Sequence, residues 1–134
     1  MKRLLILLAL LAFALPAQRT KPTYLKAVTA SIAASASLSG AVDLKLHTVI
    51  MIVMPAAWTA ADLTFQCSVD GGLYNNLYDH EGTEFTVTAG ASRAIQIQPE
   101  DFTGCGFIKI RSGDNGTPVT QTTARGFTVV LRPW

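Results

Sequence analysis

Charge is scarce in this chain. Only 15% of its 134 residues are Asp, Glu, Lys or Arg, against 49% apolar. That balance excludes wholesale disorder and provides enough apolar material for a buried core. Catalytic groupings are missing as well. The chain has 2 histidines, and neither His47 nor His80 has a partner at a spacing that marks a metal or nucleophile site. There is no Gly-x-Ser-x-Gly elbow, no phosphate loop and no His-Glu-x-x-His run. A glycosidase needs two carboxylates about 5–10 Å apart across a cleft, and nothing singles out such a pair among the 9 acids. The expectation is a non-enzymatic protein with no cofactor. The length suits one domain and falls short of two.

Basic excess is nearly absent too. There are 11 Lys and Arg against 9 Asp and Glu, and two of the bases, Lys2 and Arg3, open the chain. Without them the count is 11 − 2 = 9 bases against 9 acids. No basic patch of the kind that holds nucleic acid is expected. Leu4 to Leu15 follows those two charges as an unbroken apolar run, ending in Pro16-Ala17-Gln18. The pattern is that of a secretory signal, with a cut expected after Ala17. Twelve helical residues would reach only about 18 Å, short of a hydrocarbon core of about 30 Å. Residues 1–17 are therefore read as a signal-like leader or N-terminal extension, residues 18–23 as a linker and 24–134 as the domain, with no membrane span once the leader is removed.

Cysteine is scarce, with 2 residues, Cys67 and Cys105. Their spacing and the lack of nearby histidines argue against zinc. Export would permit a disulfide between them, provided their strands are neighbours with Cα atoms about 4.4–6.8 Å apart. The alternative is two small buried hydrophobes.

What the chain does have is alternation. The expected strands are Tyr24–Ile32, Ala41–Leu46, Thr48–Met54, Leu63–Val69, Leu73–Tyr78, Thr83–Thr88, Arg93–Gln98, Phe107–Ser112 and Arg125–Leu131, with Pro118–Thr123 as a polar edge strand. Val42, Leu44 and Leu46 should share one face, as should Phe65, Cys67 and Val69. Thr48–Met54 is continuously apolar and reads as buried on both sides. Asp70-Gly71-Gly72 separates two of these runs and signals a hairpin, because the turn needs positive φ and Gly supplies it. About eight or nine short strands at spacings of roughly ten residues, with no helix after the leader, indicate an all-β antiparallel β-sandwich or barrel.

Two segments carry a resemblance. Phe65 to Gly72 followed by Tyr74 resembles the Ser-x-Asp-Gly hairpin of discoidin-like, galactose-binding-type β-sandwiches, and Phe107 to Arg111 resembles a later strand of that group. From Val28 to Pro133 the chain is similar to small β-sandwich proteins encoded among the structural genes of tailed bacteriophages and prophages. The stretches concerned are Ser37–Leu44, Met54–Trp58, Leu73–Asp79, Ile108–Gly113 and Arg125–Pro133. The resemblance implies a jelly-roll or discoidin-like sandwich acting as a virion accessory protein: a decoration, cement or fibre-like module. Its implied partners are other virion or coat proteins and copies of itself, in a homo-oligomer. The alternative is a secreted or periplasmic module that binds cell-surface glycans or another surface.

The candidate contact residues are Trp58, Asp70, Tyr74, Asn75, Asn76 and Tyr78. Carbohydrate binding needs an aromatic platform with a polar rim. Tyr74 and Tyr78 lie four residues apart on one expected strand, so they should share a face, either packed or open as a platform. Trp58 either plugs the end of the sandwich or presents a surface. Asp79, Glu81 and Glu84 surround a turn and form a weak calcium candidate, since Ca²⁺ takes six to eight oxygens.

Overall fold

A computed structural model describes residues 24–134, so the leader and the linker lie outside the described residues. The described chain is all-β. Its strands are β1 (Lys26–Ile32), β2 (Val42–Asp43), β3 (His47–Val53), β4 (Leu63–Ser68), β5 (Asn75–Asn76), β6 (Thr86–Val87), β7 (Ala94–Gln96), β8 (Phe107–Ser112) and β9 (Arg125–Pro133). A single 3-10 turn, Pro99–Phe102, interrupts them. Two antiparallel sheets form, one in the order β1-β9-β3-β7 and one in the order β2-β8-β4-β5, with β6 also on β4.

Period two decides which side chains enter the core between the sheets. In β9, Phe127, Val129 and Leu131 are buried, and in β1 Ala30 and Ile32 are. Ile108 and Ile110 of β8 and Phe65 of β4 supply the facing layer. Phe65 stacks edge-on against Phe102 at 5.0 Å and lies 5.5 Å from Phe85, so three rings fill the space beneath the 3-10 turn. The Thr48 hydroxyl donates to the Pro99 carbonyl at 2.8 Å and ties that turn to β3.

Several expected strands are shorter than their alternation suggests, and side-chain hydrogen bonds explain some of these. Ala41–Leu46 pairs only at Val42–Asp43. The Asp43 carboxylate accepts the Lys45 amide at 2.9 Å, Lys45 takes φ 52°, and Leu46 swings to the surface instead of following Leu44 inward. Thr83–Thr88 pairs as β6 only at Thr86–Val87, and Arg93–Gln98 shrinks to β7. Pro118–Thr123 forms no strand. It is held by a bridge from Pro118 to Gly113 and by Gln121, whose buried amide bonds Thr59 and Ser112. β3 is not buried on both sides: Ile50 and Met51 are half-buried, Val53 is exposed, and the ladder to β9 is bulged between Val49 and Met51.

The hairpin is wider than a two-residue turn. Gln66 pairs with Asn76 and Cys67 with Asn75, leaving residues 68–74 as the tip. Gly71 carries the positive φ, 86°, while the Ser68 hydroxyl accepts its amide and Asp70 accepts that of Gly72. Val69 therefore leaves the strand and points to solvent rather than sharing the inward face of Phe65, and the second strand keeps two residues of the expected six, Leu73–Tyr78.

Candidate functional site

One end of the sandwich gathers the exposed apolar residues. Tyr24 and Leu25 precede β1, Leu46 follows β2, Val69 and Leu73 belong to the hairpin tip, and Trp134 follows β9. All six are between 52% and 79% exposed. They are joined in space as well as by topology. The Trp134 amide donates to the Leu46 carbonyl at 3.2 Å. Tyr24, Leu25 and Trp134 line a depression of about 410 Å³. Trp134 and Val69 share the next, about 310 Å³, and Val69 and Leu73 a third of about 330 Å³. Among the described residues, Val53 and Tyr78 are the large exposed hydrophobics that lie outside this group. An apolar surface so concentrated is characteristic of a contact site.

The end is rigidly built. Cys67 of β4 and Cys105, just before β8, are joined by a disulfide with Cα atoms 5.5 Å apart. Gly106 follows. Its amide donates to Ser68 and its carbonyl accepts from Leu44, both at 2.9 Å. Its Cα lies so close to the Val69 carbonyl that no side chain fits there. The glycine thus serves a close backbone approach that locks β2, the hairpin and β8 together.

A polar cluster lies on the outer side of the five-stranded sheet. Arg111 of β8 is buried, although alternation places it on the outward face with Lys109. Its guanidinium donates to Glu84 at 3.1 Å, to Asn76 at 2.7 Å and to the Thr64 hydroxyl at 3.4 Å. The second Glu84 oxygen accepts the Asn115 amide at 3.0 Å. Every partner is a strand or loop residue of the same sheet region, so the cluster fastens short elements that have little ladder of their own.

The six candidate contact residues fall in four places. Asp70, Asn75 and Asn76 border the hairpin depression. Trp58 is half-buried, edge-on to Phe127 with ring centroids 6.1 Å apart, its indole N–H bonded to the Ala61 carbonyl at 3.0 Å. Tyr74 and Tyr78 do not share a strand. The Lys109 ammonium sits 4.3 Å from the Tyr74 ring centroid, and Tyr78 lies beyond β5, half exposed over a depression of about 230 Å³. That depression is lined by Tyr78, Asp79, His80, Phe85, Glu100 and Asp101. Burial and the neighbouring Glu100 raise the Asp101 pKa, outweighing an opposing backbone hydrogen bond at Gln98.

The calcium trio is not gathered around one point. Asp79 uses an oxygen to accept the Glu81 and Thr83 amides, each at 2.9 Å, while Glu84 turns away to Arg111. Among the described residues no three of His, Cys, Asp or Glu form a group able to hold a metal.

Arg111 and the apolar end were both missed by sequence reasoning. Arg111 alternates with Ile108 and Ile110 and so reads as solvated. The end is assembled from four separate stretches of chain, none of which is apolar enough to stand out alone. No family model, no curated protein and no solved structure matches the chain, so the discoidin-like and phage-protein resemblance rests on its own short segments.

Proposed function

We propose that this chain is a non-enzymatic β-sandwich that works by contact, as a phage-type virion accessory protein of the decoration, cement or fibre-like kind. The observation that carries the reading is the apolar end, where six exposed hydrophobic residues lie on a framework held by a disulfide and by the Gly106 close approach. A rigid surface of this kind suits binding, because little conformational entropy is lost when a partner covers it. Its apolar centre is Trp134 with Val69, and Lys45, Asp70 and Arg132 supply a polar rim.

The test is a mass-spectrometric inventory of purified virions from the source organism, comparing wild type with Leu46→Ser and Trp134→Ala. The reading expects the wild-type chain in the particle and loss of incorporation in both variants. Absence from particles, or incorporation unchanged by the substitutions, would overturn it.

The disulfide favours a second reading. Structural disulfides persist in oxidising compartments, which suits an exported carbohydrate- or surface-binding module. In that case the half-exposed Tyr78 ring, with His80, Glu100 and Asp101 around it, supplies the sugar-stacking face and polar rim. Glycan-array binding that is lost in Tyr78→Ala would support this reading, and an array without any binding would count against it.

A further inference from the structure

The four-stranded sheet ends in an unusual edge. β1 pairs with β9 on one side only, over its full length from Lys26 to Ile32. On its other side, Ser39 bridges Ile32. Among the described residues, no strand pairs with the outer edge between Lys26 and Ser31. The other terminal strands are short: β7 has three residues, and β2, β5 and β6 have two each. Short edges protect themselves from pairing, and long edges are commonly guarded by proline, inward charge or a bulge. β1 carries none of these within the open stretch. Its one charge, Lys26, stands at the start.

The sequence of that edge is close to self-complementary. Laid antiparallel to itself about Thr29, it sets Ala27 opposite Ser31, Val28 opposite Ala30, and Thr29 opposite Thr29. Ala27, Thr29 and Ser31 are exposed, small and uncharged, so two outward faces meet without a clash or a buried charge. Val28 is half-buried and Ala30 buried, so the inward pairs extend the apolar layer of each core. In β9, Thr128 stands opposite Thr29 and Gly126 opposite Ser31; an added Cβ at Gly126 would sit 3.7 Å from the Thr29 methyl, so the outer surface beside Ser31 stays low. Lys26 and Ile32 lie outside the matched stretch, and Ser39 at Ile32 limits the pairing to five residues.

We propose that β1 is a self-association edge, and that its partner is β1 of a second copy, paired antiparallel across a two-fold axis at Thr29. The two four-stranded sheets then become one continuous sheet across the dimer, and backbone hydrogen bonds supply the contact. The proposal goes beyond the contact reading and uses a different surface from the apolar end.

The experiment exploits the two-fold axis. Thr29→Lys sets like charges opposite one another in a homodimer, as does Thr29→Glu, whereas an equimolar mixture pairs Lys with Glu. Sedimentation velocity on the full chain should show a wild-type dimer and self-association weakened about tenfold or more in each variant. The mixture should restore a dimer of one Lys and one Glu copy, which native mass spectrometry identifies. That restoration also shows that neither variant is simply misfolded. A monomeric wild type, or variants that associate as the wild type does, would overturn the proposal; the second result would place the contact elsewhere. Leu46→Ser provides the separation from the contact reading. If it leaves the dimer intact and incorporation into particles unchanged, the reading of the apolar end fails and the β1 edge stands.

Discussion

In the four-stranded sheet, β1, β3 and β9 run for 7, 7 and 9 residues and pair along most of their lengths. In the five-stranded sheet only β4 and β8 are long, at 6 residues each, and β2, β5 and β6 have 2 apiece. The first sheet is held by its ladders. The second adds a disulfide, the Arg111 cluster and the Gly106 contact, all of them side-chain or loop devices. The difference concerns where specificity resides. Ladder and pleat specify one half, and a few individual residues specify the other. Both candidate contact surfaces follow from this. The open β1 edge belongs to the regular half, and the hairpin tip in the apolar end is built from the irregular one.

The largest effect should come from the layer the halves share. Phe65→Ala removes the ring that meets both Phe85 and Phe102, and should cost about 3–5 kcal/mol. Leu131→Ala, the counterpart in β9, should cost about 2–5 kcal/mol. Urea unfolding followed by two probes checks both, and each variant should keep a single coincident transition. Separated transitions would mean that the two sheets unfold independently, and would turn the contrast between them into a division of the fold.

Next is the disulfide. Cys67 and Cys105 are 38 residues apart, a loop whose closure entropy in the unfolded chain corresponds to about 3–4 kcal/mol. The double variant Cys67→Ala/Cys105→Ala should unfold at lower urea by that amount, and the wild type should gain nothing over it in reductant. Hydrogen exchange should rise first at the hairpin tip and β2, while β1 and β9 stay protected. Loosening of β1 and β9 together with the hairpin would break the comparison.

Arg111→Met should cost about 2–4 kcal/mol, since it strands the Glu84 carboxylate among groups placed for an ion pair. Adding Glu84→Gln should recover part of the loss, and the double-mutant cycle isolates the pair from the Asn76 and Thr64 bonds. A cost no larger than that of an exposed arginine would show that the short strands hold without the cluster.

The same contrast decides how much was legible in the sequence. β8 was readable at its ends, and β1 and β9 to within two residues, because long ladders let period two speak for itself. Alternation fails where an individual side chain captures the backbone. Asp43 does so at Lys45 and sends Leu46 outward; Ser68 and Asp70 do so at the hairpin and release Val69. These two misplaced residues are members of the apolar end. The surface was therefore hidden by the same events that create it. Arg111 was hidden differently: its burial depends on Glu84 and Asn76, which lie 27 and 35 positions away.

The smallest effect concerns the groove beside Tyr78, where the 3-10 turn meets the irregular half. Burial and Glu100 raise the folded-state pKa of Asp101, so the fold prefers this carboxyl protonated. The sign follows from linkage. A raised folded pKa contributes stability that is fully present below the unfolded value, near 3.8, and is lost as pH rises through the folded value. At neutral pH the ionised Asp101 is thus a mild burden that a neutral amide lacks. Asp101→Asn should melt slightly higher than wild type at pH 7, and the gap should close as the pH falls through the acidic range. A gap that stayed constant with pH would trace the effect to packing instead. A lower melting point at pH 7 would mean that the carboxylate's hydrogen bond at Gln98 outweighs its burial, so that the charge holds the 3-10 turn in place rather than straining it.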